Sequence, residues 1–420
     1  MNKLISLYFE RKMKVEIKFI QFFFFFFFIS ISAFAQYTTI PDENFEKKLI
    51  SLGIDSGNPD GKVLTASIAS ITNLDVSRNV INEESFDSPP IRDLTGIQDF
   101  VVLKNLDCSK NELATLILFK NTTLTSLNCS FNYLIDLDLS KNINLKSLDC
   151  SSNRLVTLDV SKNTALTEFH CISNKLSFLD ISKNKALTNL NCSWNSLKNL
   201  DVSRNIALTE LNCYSTDLTI LDVSKNLILT SLNCNWNSLT SLDISKNKAL
   251  TGLFCDSNKL VILDISKNKV LTTLNCIDNR LTSLDVSKNK DLSLLSCSKN
   301  NLITLDVSKN VGLTELYCIA DKLTALDISK NTVLNTLYCG QNNLETLDIS
   351  KNGALREINC NNNNLSTLNL KNGNNLKFEL LDFKSNPNLK CIQVDNVSYF
   401  KTLWMNSKDN SAIYTSDCYN

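Results

Sequence analysis

Leu145-Lys146-Ser147-Leu148-Asp149-Cys150-Ser151-Ser152-Asn153-Arg154 runs directly into Leu155-Val156-Thr157-Leu158-Asp159-Val160-Ser161-Lys162-Asn163-Thr164-Ala165. The first ten residues read LxxLxCxxNx and the next eleven read LxxLxVxxNxx, so the 21 residues are two similar halves. Copies extend in both directions without a slip. Thirteen cysteines mark them, from Cys108 through Cys129, Cys150, Cys171 and onward to Cys360, each 21 residues from the last. A period this strict means a stack of equal coils, each placing its cysteine at the same angle. Thirteen copies span 103–375.

Within each half, Leu148 and Cys150 point one way and Asp149 the other, the period-two signature of a short strand with one buried face. Stacked on its equivalents, such a strand forms a parallel sheet along the molecule. The leucines at half-repeat positions 1 and 4, with Cys, Val or Ile at position 6, fill a continuous core. Each buried side chain contributes roughly 1.5–3 kcal/mol.

Two asparagine rows close the strands. One runs Asn111, Asn132, Asn153 and on to Asn363; its partner includes Asn142, Asn163, Asn184, Asn226 and Asn247. At a turn into the interior, both amide ends can satisfy buried backbone groups. Thr216 and Asp321 interrupt the first row. An ionised carboxylate accepts but cannot donate, so the stack is expected to be weak near Asp321.

The cysteine row reads as buried free thiols, because cysteine is a small, readily buried side chain. Adjacent Cβ atoms on parallel strands lie too far apart for an unstrained bridge. A thiolate metal column would want C-x-x-C pairs and histidines, which are missing. Cys391 and Cys418 lie outside the row and can pair with each other.

The first 35 residues read as a leader. Lys14 and Lys18 precede an apolar run containing Phe22 to Phe28, and Ala33-Phe34-Ala35 is an A-x-A cleavage pattern. The run is short for a membrane span. Residues 13–35 alone make a complete signal, so Met13 is an alternative start. Without the leader, 38 basic residues (43 less 5) face 41 acidic (43 less 2), a net of −3. No nucleic-acid footprint is expected. Export would place the chain outside the cell, at its surface or in the periplasm, with no membrane span in the mature form.

LxxLxLxxNxL is the leucine-rich-repeat signature, here with cysteine at the sixth position. The nested 10 + 11 arrangement resembles the bacterial 21-residue class called IRREKO-type repeats. Ile40-Pro41-Asp42-Glu43-Asn44-Phe45-Glu46, with Leu49-Ile50-Ser51-Leu52-Gly53, looks like the N-terminal cap of secreted leucine-rich-repeat proteins from Bacteroidetes. Asn386-Pro387-Asn388-Leu389-Lys390-Cys391 looks like their closing segment. The resemblance implies a predominantly β leucine-rich-repeat solenoid, a binding scaffold with no shared catalytic residues. Such proteins often continue into a sorting domain for type IX secretion; Asn420 follows the closing segment directly, which puts surface anchoring by that route in question.

The residues argue for the caps independently, since an open solenoid would expose apolar ends. Pro41 and Asp42 open a helix with Phe45, Leu49 and Leu52 on one face, and Gly53 can end it. Residues 36–102 thus form an N-terminal cap and transition. Residues 376–420 form a C-terminal cap, with Trp404 held over the last coil by the Cys391–Cys418 bridge.

Comparing copies separates scaffold from variable surface. Leu-Asp-Val/Ile-Ser-Lys-Asn recurs from Leu158 to Asn352, with Arg204 alone replacing lysine. Its stacked aspartates are expected to be offset by the lysines three residues on. A calcium column would need a Gly-rich repeat that is absent. In the first half, position 5 carries His170, Phe254, Tyr317 and Tyr338, and positions 7 and 8 carry Phe131, Trp194, Tyr214 and Trp236. Exposed aromatics on a regular surface are candidates for ligand binding. Trp194 and Trp236 stand two coils apart, roughly 10 Å, close enough to grip one ligand. The expected partner is a protein or a glycan; a structural or adhesive surface component is the alternative. His170 has no Cys or Ser partner and no phosphate loop or metal motif appears, so neither an enzyme nor a cofactor is expected.

Overall fold

The computed structural model describes Met13 and residues 36–82, 85, 86 and 88–418. Apart from Met13, the expected leader lies outside the described residues. No helix among the described residues is long and apolar enough to cross a membrane.

The chain is a leucine-rich-repeat solenoid. Fifteen three-residue strands, from Asn73–Asp75 to Leu380–Asp382, form one parallel sheet. Register is locked at 21 residues through most of it: Leu148 pairs with Phe169, Leu190 with Leu211, Leu232 with Leu253. The ladder thus runs one strand beyond each end of the thirteen-copy block. The middle residue of each strand is buried and the flanking two face outward. The interior is a single cluster of stacked leucines, cysteines and Val or Ile.

The second halves depart from expectation. They form strands only at the C-terminal end, where Thr346–Asp348, Thr367–Asn369, Cys391–Gln393 and Ile413–Thr415 make a four-stranded sheet. Elsewhere the turn that follows Val or Ile closes within the coil. Ser161 N–H donates to Asp159 Oδ1 at 2.8 Å, and Asn163 N–H to the Val160 carbonyl at 3.0 Å. The turn bond sets the halves apart, since first halves carry the same aspartate capture, as Ser151 N–H on Asp149 Oδ1, and still join the ladder.

That capture also revises the charge lattice. Each aspartate of the row accepts its serine's N–H, which holds carboxyls such as Asp243 and Asp264 below the usual range; the neighbouring lysine is a lesser cause. Among the described residues no ion pair joins the two rows.

At the N-terminal end, Asp42 caps the helix Glu43–Ser51, its Oδ1 accepting from Asn44 and Phe45 N–H. Its other oxygen accepts from Arg92 and Asp93 N–H, tying the helix to the transition segment. Phe45 and Leu49 are buried, but Leu52 is 45% exposed. Leu52 ends the helix and Gly53 follows at φ +70°. At the other end, Cys391 and Cys418 are disulfide-bonded, their Cα atoms 5.8 Å apart. The plug there is Phe400, fully buried against Phe378 and Tyr414, while Trp404 packs at its side.

Candidate recognition surface

The surface stands on the asparagine and cysteine columns beneath it. In the first row Asn258 is representative. Its Nδ2 donates to the carbonyls of Cys234, Cys255 and Asp256 at 3.0–3.1 Å, and its Oδ1 accepts from Leu239 N–H at 3.0 Å. Both amide ends work there, as the sequence implies. The second row does not follow. Asn247 Nδ2 donates to the Val223 and Asn226 carbonyls, but its Oδ1 is buried without a partner, as are those of Asn121, Asn142, Asn163 and the rest of the row. The reason is competition: the nearby leucine N–H already closes a turn, as Leu229 does on Asn226 and Leu250 on Asn247.

All thirteen ladder cysteines are free and buried. Cys150 Sγ donates weakly to the His170 carbonyl at 3.5 Å, and other sulfurs bond likewise. Burial pushes the Cys192 thiol to about 12 and holds its neighbours well above the ordinary range. These are neutral packing groups, not nucleophiles.

The two interruptions behave differently. Thr216 Oγ1 donates to the Cys213 carbonyl at 2.7 Å but cannot serve the previous coil. There the backbone rearranges, with Lys198 and Asp217 both left-handed and Asn199 N–H turning onto the Leu197 carbonyl. Asp321 Oδ1 accepts from Asn300 N–H at 3.0 Å and from Leu302 N–H at 3.4 Å. Its Oδ2 is buried without a partner, and burial raises the carboxyl to about 6.

The aromatic candidates fall into two groups. Trp194, Tyr214 and Trp236 meet on the turn after three successive strands. Tyr214 stands edge-on to both tryptophans, with centroids 5.1 and 6.4 Å away. The indoles therefore do not form the open two-coil clamp expected from spacing; Tyr214 fills the gap. Yet Trp194 and Trp236 remain 53% and 60% exposed. Tyr317 and Tyr338 form the second group on adjacent strands, with centroids 5.3 Å apart. Their hydroxyls donate to Glu315 and Glu357 at 3.0 and 2.8 Å. Phe131, His170 and Phe254 stand apart. His170 ends the strand Glu168–His170. Phe254 folds its ring over Gly252, where an added Cβ would approach the ring to 3.2 Å. Phe131 borders an open groove of about 590 Å³ with Tyr133, Lys110 and Arg78.

One feature has no signal in composition. The residue before each first-row asparagine is left-handed, and Phe131, Trp194 and Trp236 sit at φ 54°, 55° and 53°. Left-handed backbone costs a residue with a Cβ roughly 1–2 kcal/mol, and bulky side chains are rare there. Tyr133 lies outside the aromatic positions that the repeat pattern singles out. It is exposed, and Arg154, one coil on, stacks 4.4 Å above its ring. The 21-residue offset between an aromatic and a cation was the available clue.

No protein-family model matches the chain, and no curated protein does. Solved structures do. The functional domain of InlJ from Listeria monocytogenes, which includes a cysteine ladder, is 33% identical; the match covers 87% of this chain and 78% of that one, with a TM-score of 0.65. A leucine-rich-repeat protein of Leptospira interrogans shares the fold at 22% identity, covering 88% and 98%, with a TM-score of 0.68. So does the leucine-rich-repeat ectodomain of the Arabidopsis thaliana receptor kinase GASSHO1/SCHENGEN3, solved in complex with Casparian strip integrity factor 2, at 18% identity, 76% and 42% coverage and a TM-score of 0.53. With its 21-residue coils, its buried sulfur column and this likeness to InlJ, the chain belongs to the bacterial leucine-rich-repeat proteins.

Proposed function

We propose that this protein is an exported, non-enzymatic recognition scaffold that binds a protein or a glycan through the variable strand face and the turn beside it. Phe131, Trp194, Tyr214 and Trp236 supply ring surface on the turn; His170, Phe254, Tyr317 and Tyr338 supply it on the strands. The observation that carries this reading is the placement of exposed Trp194 and Trp236 on left-handed backbone. Packing does not require large rings there, since Ser152, Ser173 and Ser257 occupy the same position in other coils. Strain kept at an exposed site is more often linked to function than to stability. Family likeness supports the scaffold role, and the resemblance of the cap motifs to those of secreted IRREKO-type proteins of Bacteroidetes supports export. The division proposed is a leader (1–35), N-terminal cap (36–102), thirteen repeats (103–375) and C-terminal cap (376–420).

The test is a glycan and protein array probed with residues 36–420 and with the Trp194→Ala/Trp236→Ala double variant. Loss of a specific signal in the variant supports the reading. The near-invariant Leu-Asp-Val/Ile-Ser-Lys-Asn side favours a second one, a structural or adhesive surface component. Adhesion unchanged by the double variant would favour that.

A further inference from the structure

Positions 3 and 5 of each first half point outward from the strand, and position 7 opens the turn beside it, where Asp256 is buried. Across the thirteen coils these positions carry seven carboxylates and not one lysine or arginine, in a chain whose 43 basic and 43 acidic residues balance. Four are glutamates at position 3: Glu168, Glu210, Glu315 and Glu357. The others are Asp107, Asp149 and Asp256. In this half the cations stand only at the edges, as Lys146 and Arg154 do, and the lysine row occupies the opposite half. Among the described residues none of the seven has an ion-pair partner. Glu315 and Glu357 lie two coils apart, roughly 10 Å. A cation held midway would lie roughly 5 Å from each, inside the Debye length of about 8 Å at physiological salt, so both fields act on it.

A second observation points to what this face takes. Glu315 and Glu357 do not stand alone: Tyr317 and Tyr338 lie between them, half-buried and edge-to-face. Each hydroxyl donates to a glutamate Oε2, leaving that carboxylate's other oxygen for a further donor. Rings bracketed by carboxylates suit a guanidinium or ammonium head. The cation gains from the ring quadrupole and accepts direct pairing with the carboxylates. An anionic glycan or nucleic acid would meet repulsion and no counter-charge.

We propose that the strand face binds a basic polypeptide, with Tyr317, Tyr338, Glu315 and Glu357 holding one arginine or lysine head and Glu168 with Glu210 receiving another. This rests on the recognition reading above and names its partner class. The two anchor points centre on Leu190 and Leu337, seven coils apart, or about 34 Å. An extended segment of roughly ten residues spans that distance.

The probe is the fluorescent peptide Arg-Arg-(Gly-Ser)4-Arg-Arg, beside versions with Gln or Glu in place of Arg, titrated onto residues 36–420. The Arg peptide should bind at least tenfold more tightly than the Gln peptide, and the Glu peptide should not bind. Affinity should fall at least tenfold between 50 and 300 mM salt. Glu315→Gln/Glu357→Gln should weaken binding about tenfold, as should Tyr317→Leu/Tyr338→Leu. Asp243→Asn/Asp264→Asn, on the opposite half, should leave it unchanged. Equal binding of the Arg and Gln peptides, or equal loss in the opposite-half variant, overturns the proposal. If a neutral ligand binds instead and Trp194→Ala/Trp236→Ala abolishes it, the recognition reading survives and the basic partner does not. Absence of binding by every peptide and array ligand counts against both.

Discussion

Replacing Asp321 by asparagine should stabilise the solenoid at neutral pH and remove a pH dependence centred on one coil. At this position other copies aim an Nδ2 at three carbonyls, as Asn342 does toward Cys318, Cys339 and Gly340. Asp321 presents Oδ2 instead, buried and unpartnered. The carbonyls themselves are still served. Asn300 and Asn342 donate to Cys297 and Cys318 at 2.7 Å, and Lys299 N–H to Ile319 at 2.7 Å. The cost therefore sits on the carboxylate, an acceptor facing acceptors. Raising the carboxyl from 3.8 to about 6 corresponds to roughly 3 kcal/mol against the ionised form. At 7% exposure the residue lies close to the surface, and residual screening brings this to about 1–2 kcal/mol. The sign follows from linkage. The native state binds its proton more tightly than the unfolded chain, so this contribution is fully present below pH 3.8 and is lost as pH rises through about 6. The exposed aspartate row has the opposite sense, its stability being lost as acid titrates carboxyls held low by serine N–H groups. Hydrogen exchange across residues 310–325 at pH 5 and pH 8 is the assay. In the native protein protection there should fall at pH 8 relative to coils such as 250–265. Asp321→Asn should restore it and raise stability at pH 8 by about 1–2 kcal/mol. Uniform protection in the native protein, or no gain in the variant, would refute the argument.

Three further outcomes follow from the columns and the turn. Asn258→Ala should destabilise more than Asn247→Ala, about 3–5 against 1–3 kcal/mol in denaturant melts, because Asn258 makes four bonds while Asn247 makes two and leaves its oxygen orphaned. No thiol of the native chain should react rapidly with a disulfide reagent at pH 8, whereas the denatured chain should release all thirteen; fast labelling of ladder cysteines would contradict their burial. Trp236→Gly should relieve left-handed strain of about 1 kcal/mol and leave Tm unchanged or higher while ligand binding falls. A loss of several kcal/mol would instead make the ring a structural part.

Much of this molecule was legible in one dimension. A 21-residue period determines register by itself, because identical coils stack only one way without misplacing every leucine. The interior thiols followed, since a residue recurring at one angle between buried leucines must share their burial. So did the working of the first asparagine row, whose partners recur at fixed offsets in its own coil and the one before. The second halves were not legible in the same way. Their sequences match the first halves nearly letter for letter, yet a turn from Asn163 N–H back to Val160 closes the second half within its coil, where first-half donors such as Cys150 N–H reach the next coil, and only the folded coil shows which bond wins. The clamp at Trp194 and Trp236 failed for a similar reason: spacing counts coils but does not say where Tyr214 will lean. The left-handed turn, the orphaned second amide row and the pairing of Tyr317 and Tyr338 with glutamates two strands apart belong to the tertiary structure alone. Each depends on how the turns close and where side chains point within and between coils, which no periodicity along the chain encodes.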